Sequence, residues 1–127
     1  MQTLTIEQAL ALATVLNGSK QDAKPVEVIG EIGRPVIVRS RDAGVLFGEY
    51  AGNNGSTIHL KNAVQMWQWF AEKGGTLLDC ATFGVKADKC KFSVSRGTAT
   101  IFNACALIDC TPEAAASIRK VEGGSWR

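Results

Sequence analysis

The sequence predicts an α+β domain: a mostly antiparallel sheet with an N-terminal helix, a central aromatic helix and a C-terminal helix. Three observations point there. The β-branched runs Pro35–Arg41 and Val45–Ala51 are separated by the turn residues Asp42-Ala43-Gly44, the pattern of a hairpin. Asn53-Asn54-Gly55 is a second tight turn, leading into a strand over Ser56–Leu60. Two capping signatures, Thr5-Ile6-Glu7-Gln8 and Thr111-Pro112-Glu113, open alanine-rich runs and read as helix starts. With 127 residues, 46% hydrophobic and 20% charged, the chain suits one domain with one modest core.

The N-terminal helix is expected at about 5–17, ended by Asn17-Gly18, and Val26–Ile29 reads as a further strand. In Val36-Ile37-Val38-Arg39-Ser40-Arg41 the two-residue period puts Ile37, Arg39 and Arg41 on one face and Val36 and Val38 on the other, toward the core. Gly48 interrupts the next strand as a bulge or a close backbone approach. Asn62 is placed to cap a helix from Ala63 to about Glu72, closed by Gly74-Gly75. On that helix Trp67 and Trp69 would face nearly opposite sides, so one indole would serve the core and the other a ligand or a partner. Thr76–Thr82 reads as a short helix, Lys86–Lys91 as a loop with three lysines, Phe92–Ser95 as a short strand and Arg96-Gly97 as a turn. Thr98–Asp109 reads as one nearly continuous apolar strand, followed by the C-terminal helix to about Lys120 and a tail over 121–127.

Catalysis finds little footing. The chain has no G-x-S-x-G, H-E-x-x-H, phosphate-binding G-x-x-x-x-G-K or G-x-G-x-x-G. Its one histidine, His59, sits mid-strand and faces away from Ile58 and Leu60. Asp42, Glu49, Asp79, Asp88 and Asp109 form no spaced acid–base pair. Cys80, Cys90, Cys105 and Cys110 are widely spaced with no C-x-x-C, which reads as reduced, apolar packing residues rather than a metal site. The expectation is a non-enzyme without metal or cofactor. No stretch approaches the ~20 apolar residues of a membrane helix, and Met1–Leu16 lacks a basic leader, so an intracellular protein with no membrane partner is expected. A net charge of +2 is too balanced for non-specific nucleic-acid binding, so no DNA partner is expected either.

Binding finds more. Arginine offers a planar fork of donors for phosphate and stacks on rings. Arg39 and Arg41, with Trp67 or Trp69, Phe83, Arg96 and Arg119, would make a pocket for a phosphorylated aromatic ligand such as a nucleotide. The competing reading is a solvated strand edge with core aromatics, and the residues alone favour it.

The order of motifs tips that balance. The stretch Val36–Tyr50 carries I-V-R, a short turn, A-G-V and then Phe47-Gly48, similar to the pattern's F-x-G; after a glycine turn comes Ile58–Trp69, corresponding to V-x-L-x-x-A-x-x-(M/I)-W-x-W with Ile58 at the first position; Cys110–Ala114 closes with C-T-P-E-A. Over residues 35–120 this pattern resembles the phage anti-Thoeris sponge family. The resemblance implies a phage anti-defence protein of the host bacterial cytoplasm. It would bind and sequester a cyclic ADP-ribose-type signal, and in some members cyclic oligonucleotides, without cleaving it. It implies homo-oligomers, dimers or higher such as hexamers, with pockets formed between chains. Phe83, Asn103 and Arg119 fall within the matching region as ligand contacts. Where the family pattern carries a basic A-R-R before its tryptophan, this chain has Ala63-Val64-Gln65. The alternative is a small phage structural module that oligomerises through its aromatic helix.

Overall fold

The computed structural model describes residues 28–121 and residue 123. The expected N-terminal helix, residues 26 and 27 of the expected first strand and most of the tail lie outside that range; Val28 and Ile29 are exposed and not in a strand. The described residues form an antiparallel sheet of β1 (Pro35–Ser40), β2 (Gly44–Asn54), β3 (Thr57–Gln68), β4 (Lys91–Phe92), β5 (Arg96–Ile101) and β6 (Ala104–Asp109), with α1 (Leu77–Phe83) and α2 (Pro112–Arg119). The strand order is β4-β3-β2-β1-β6, and β5 pairs with β3 beside β4. The α+β class with a mostly antiparallel sheet therefore holds.

The sheet coils because its long strands are bulged. The β2–β3 register shifts between Phe47 and Glu49 and again between Tyr50 and Asn53, and Asn62 adopts a left-handed conformation at φ 51°. Gly48 is where the first shift falls. A Cβ there would lie 3.0 Å from the Lys61 carbonyl oxygen and 3.1 Å from the Leu60 Cβ, so a side chain would press β3 outward and glycine suits the approach. The consequence is long-range. Ser40 pairs with the start of β2 and Ile58 with its end, positions that an extended strand would hold roughly 30 Å apart. Yet Ile101, which pairs with Ile58, and Ala104, which pairs with Ser40, are separated by only Phe102-Asn103, a reach of about 10 Å. The Ala104 amide donates to the Ser56 carbonyl at 2.8 Å and the Ser40 hydroxyl to the Phe102 carbonyl at 3.1 Å. The sheet must therefore wrap into a partly closed barrel.

Both faces of the sheet are buried. The inner cluster is Val36, Val38, Leu46, Tyr50, Ile58, Leu60, Ala63 and Ile101. The outer one packs Ile37, Phe47, Val64, Met66 and Phe92 against Leu77, Cys80 and Ala81 of α1 and Ile118 of α2. Ile37, expected on the arginine face, is fully buried because the helices cover that side. Thr76 caps α1 in a reciprocal box with Asp79, and Thr111 caps α2 with Pro112 at its first position.

Three expectations are corrected. The central aromatic helix does not exist: Ala63–Gln68 continue β3, because the Gln65 amide donates to the Ser93 hydroxyl at 2.8 Å and Met66 and Gln68 pair with β4. The expected strand over Thr98–Asp109 is two strands, broken at Asn103 with φ 56°. Arg96-Gly97 is no turn; it opens β5, with Arg96 paired to Ala63.

Candidate functional site

Along β3 and just beyond it, the chain from Met66 to Lys73 runs against the returning chain from Phe83 to Phe92. Met66 pairs with Phe92 and Gln68 with Lys91, Ala71 bridges Val85, and the Lys86 amide donates to the Phe70 carbonyl at 2.9 Å. Met66, Ala71, Val85, Cys90 and Phe92 are buried against the helix-side core. The same stretch carries three large exposed rings: Trp67 at 63% exposed, Phe70 at 46% and Phe83 at 47%. Two of them already hold a cation. The Lys91 ammonium lies 5.4 Å from the centroid of Trp67 and the Lys73 ammonium 5.4 Å from that of Phe83. Phe70 stands across from Lys86. A ring face with an ammonium group beside it, as at Trp67 and Phe83, suits a ligand with both an aromatic base and a phosphate.

The residues singled out from the sequence do not converge on one pocket. Trp67 and Phe83 lie on the ribbon, but Trp69 is half-buried and packs against the helix-side core. Arg39 is exposed on β1, on the side of Ile37, and Arg41 stands in the turn after it. Arg96 is exposed at the start of β5. The Arg39 carbonyl accepts from the Cys105 thiol at 3.3 Å, but none of the three guanidinium groups makes an ion pair among the described residues. Asn103 is exposed in the β5–β6 turn beside Phe102.

Arg119 is engaged within the fold. Its guanidinium donates to the Asn62 carbonyl at 2.9 Å and the Ser95 hydroxyl at 3.4 Å, lies 3.7 Å from the Glu49 carboxylate, and stacks 4.6 Å from the centroid of the buried Phe47 ring. Those contacts pin α2 to the bulge of β3. Sequence reasoning left Phe70 and the loop lysines without a role. It passed over Lys73, whose signal was its position just before the Gly74-Gly75 stop.

The groups weighed for catalysis are distributed as follows. His59 bridges strands, with one ring nitrogen 2.8 Å from Asn54 Oδ1 and the other 3.3 Å from Thr100 Oγ1. Cys80 and Cys90 are buried, Cys110 is half-buried and Cys105 is exposed. Burial pushes the Cys80 thiol up to about 11 and that of Cys110 to about 12, which keeps both protonated and unreactive near neutrality. No group of three metal-ligating side chains occurs among the described residues. Nor is any of their helices long and apolar enough to cross a membrane.

The fold and this surface define a small α+β domain on a coiled antiparallel sheet. Residues 33–118 match the family model described as a domain of unknown function, DUF6948, and the chain belongs to that family. No curated protein and no solved structure matches it.

Proposed function

We propose that this chain is a non-catalytic binding protein that holds a nucleotide-class signal on its cation–aromatic ribbon and withholds it from its receptor. The observation that carries this reading is the pairing of two exposed rings with ammonium groups, Trp67 with Lys91 and Phe83 with Lys73. A base stacks on the ring while a phosphate meets the lysine. The motif order over residues 35–120 narrows the ligand to a cyclic ADP-ribose isomer or a cyclic oligonucleotide, and the setting to phage anti-defence in the host bacterial cytoplasm. In that setting Arg39, Arg41 and Arg96, exposed and without an ion pair among the described residues, supply further phosphate donors from a neighbouring copy in a homo-oligomer.

A thermal-shift panel of cyclic ADP-ribose isomers and cyclic di- and trinucleotides tests it. A ligand at a hundred times its Kd adds about 2.7 kcal/mol to native stability. A rise in Tm with a panel member, lost in Trp67→Ala and Lys91→Ala, is the expected result. A panel that leaves Tm unmoved sinks the reading.

A second reading is a structural module that assembles through the same surface. It draws on the exposure of Trp67, Phe70, Leu78 and Phe83. Protein–protein burial of these rings would show as a concentration-dependent Trp67 environment with no response to any nucleotide.

A further inference from the structure

The partly closed barrel ends in two strands that pair on one side only among the described residues: β5 with β3, and β6 with β1. Each is six residues long, and neither contains the lysine or proline that commonly blunts an exposed edge. On β6, Ala104, Ala106, Leu107 and Ile108 are only half-buried. Hydrogen bonds fix which backbone groups look out of these edges, because an antiparallel strand turns the N–H and C=O of successive residues to alternate sides. The Cys110 amide donates to the Pro35 carbonyl at 3.1 Å, so Ile108 and Ala106 also turn toward β1, and Asp109 and Leu107 point outward. On the other edge, the Gly33 amide donates to the Tyr50 carbonyl at 2.7 Å and the Tyr50 amide to the Arg34 carbonyl at 3.0 Å. Both backbone groups of Tyr50 thus turn away from β3, and its partner Leu60 turns its own toward Ala99 of β5. Ala99 therefore faces β3, and Arg96, Thr98 and Thr100 point outward.

We propose that these two edges join copies of this chain, β5 of one copy running antiparallel to β6 of the next, with Arg96 opposite Asp109 and Thr98 opposite Leu107. In that register outward-pointing backbone groups meet outward-pointing ones, as a hydrogen-bonded ladder requires. It also sets opposite charges against each other. The Arg96 guanidinium makes no ion pair among the described residues, and the Asp109 side chain is 71% exposed beside Arg34. Pairing β6 with its own copy would leave Arg96 out of the contact. The joint is heterologous, so each copy offers both halves of it. It gives a surface to the neighbouring copy on which the signal-binding reading rests, and uses neither of that reading's ring–ammonium pairs. Arg96 carries donors enough to meet the carboxylate and a phosphate at the same junction.

Sedimentation velocity of the full chain without nucleotide, over a wide range of concentration, tests it. The parent is expected to run as dimers or larger, at multiples of 13.5 kDa. Thr98→Pro and Leu107→Pro each remove an amide that points out of the sheet, so each is expected to keep the parent's circular dichroism and to run as a monomer. Mixed one to one, the two variants should recover a dimer, because one intact β5 meets one intact β6. Arg96→Glu, at an exposed side chain, sets two carboxylates face to face and is expected to weaken association about tenfold or more, less so in high salt. A monomeric parent overturns the proposal, as do folded proline variants that assemble like the parent or a mixture of them that stays monomeric. Should a proline variant lose its fold, Arg96→Glu decides: association equal to the parent's overturns the proposal. With no nucleotide present, a failed joint leaves the thermal-shift result standing, and a panel that leaves Tm unmoved leaves the joint standing.

Discussion

Arg119 shows how one side chain can carry a fold-level connection. It joins the end of α2 to the left-handed Asn62, to Ser95 and to the ring of Phe47. Arg119→Ala is expected to lower stability by about 1–2 kcal/mol through the lost charge-assisted donor and the lost stack. Chemical denaturation checks this, with Arg119→Lys recovering little, since lysine lacks the planar fork. Asp79 makes a pH prediction. The Thr76 amide, then its hydroxyl, then the Gly75 amide hold the Asp79 carboxyl below its ordinary range. A depressed folded value means its stabilising contribution is present above the unfolded value near 3.9 and is lost as pH falls through the folded one. Asp79→Asn should therefore lower Tm at neutral pH and converge with the parent in acid. Among the thiols, exposed Cys105 should react with a thiol reagent in the native state, while Cys80 and Cys110 wait for unfolding.

At the scale of elements, Gly48 is the residue on which the coil of the sheet turns. Gly48→Ala puts a methyl against the Lys61 carbonyl and Leu60, and is expected to cost about 1–3 kcal/mol. A Tm equal to the parent's would show that the bulge is not tight. Turns with strong local chemistry were legible in the sequence: Asp42-Ala43-Gly44, Asn54-Gly55, the Thr111 cap and the Gly48 irregularity all stand where expected. The aromatic helix was misread because Ala63–Phe70 has helix-compatible composition, and its strand pairing is decided by Phe92 and Ser93, some 28 residues away in sequence. The Asn103 break was hidden because Phe102-Asn103 carries no glycine or proline, and asparagine tolerates the left-handed region. Trp67 and Phe83 were found from composition. Their partners Lys91 and Lys73 were not, because only the fold brings them together.

Across the described residues, two buried clusters lie on either side of one coiled sheet, and Trp67, Phe70 and Phe83 stand outside both. The proposed binding role rests on two of these rings standing in water beside ammonium groups, Trp67 by Lys91 and Phe83 by Lys73. The measurement that tests this most directly is to incubate the full chain with cyclic ADP-ribose isomers, remove free ligand, release what is bound by heat and identify it by mass. The account predicts an intact cyclic nucleotide from the parent and none from Trp67→Ala/Lys91→Ala. A cleaved product, or equal recovery from the double variant, would contradict it.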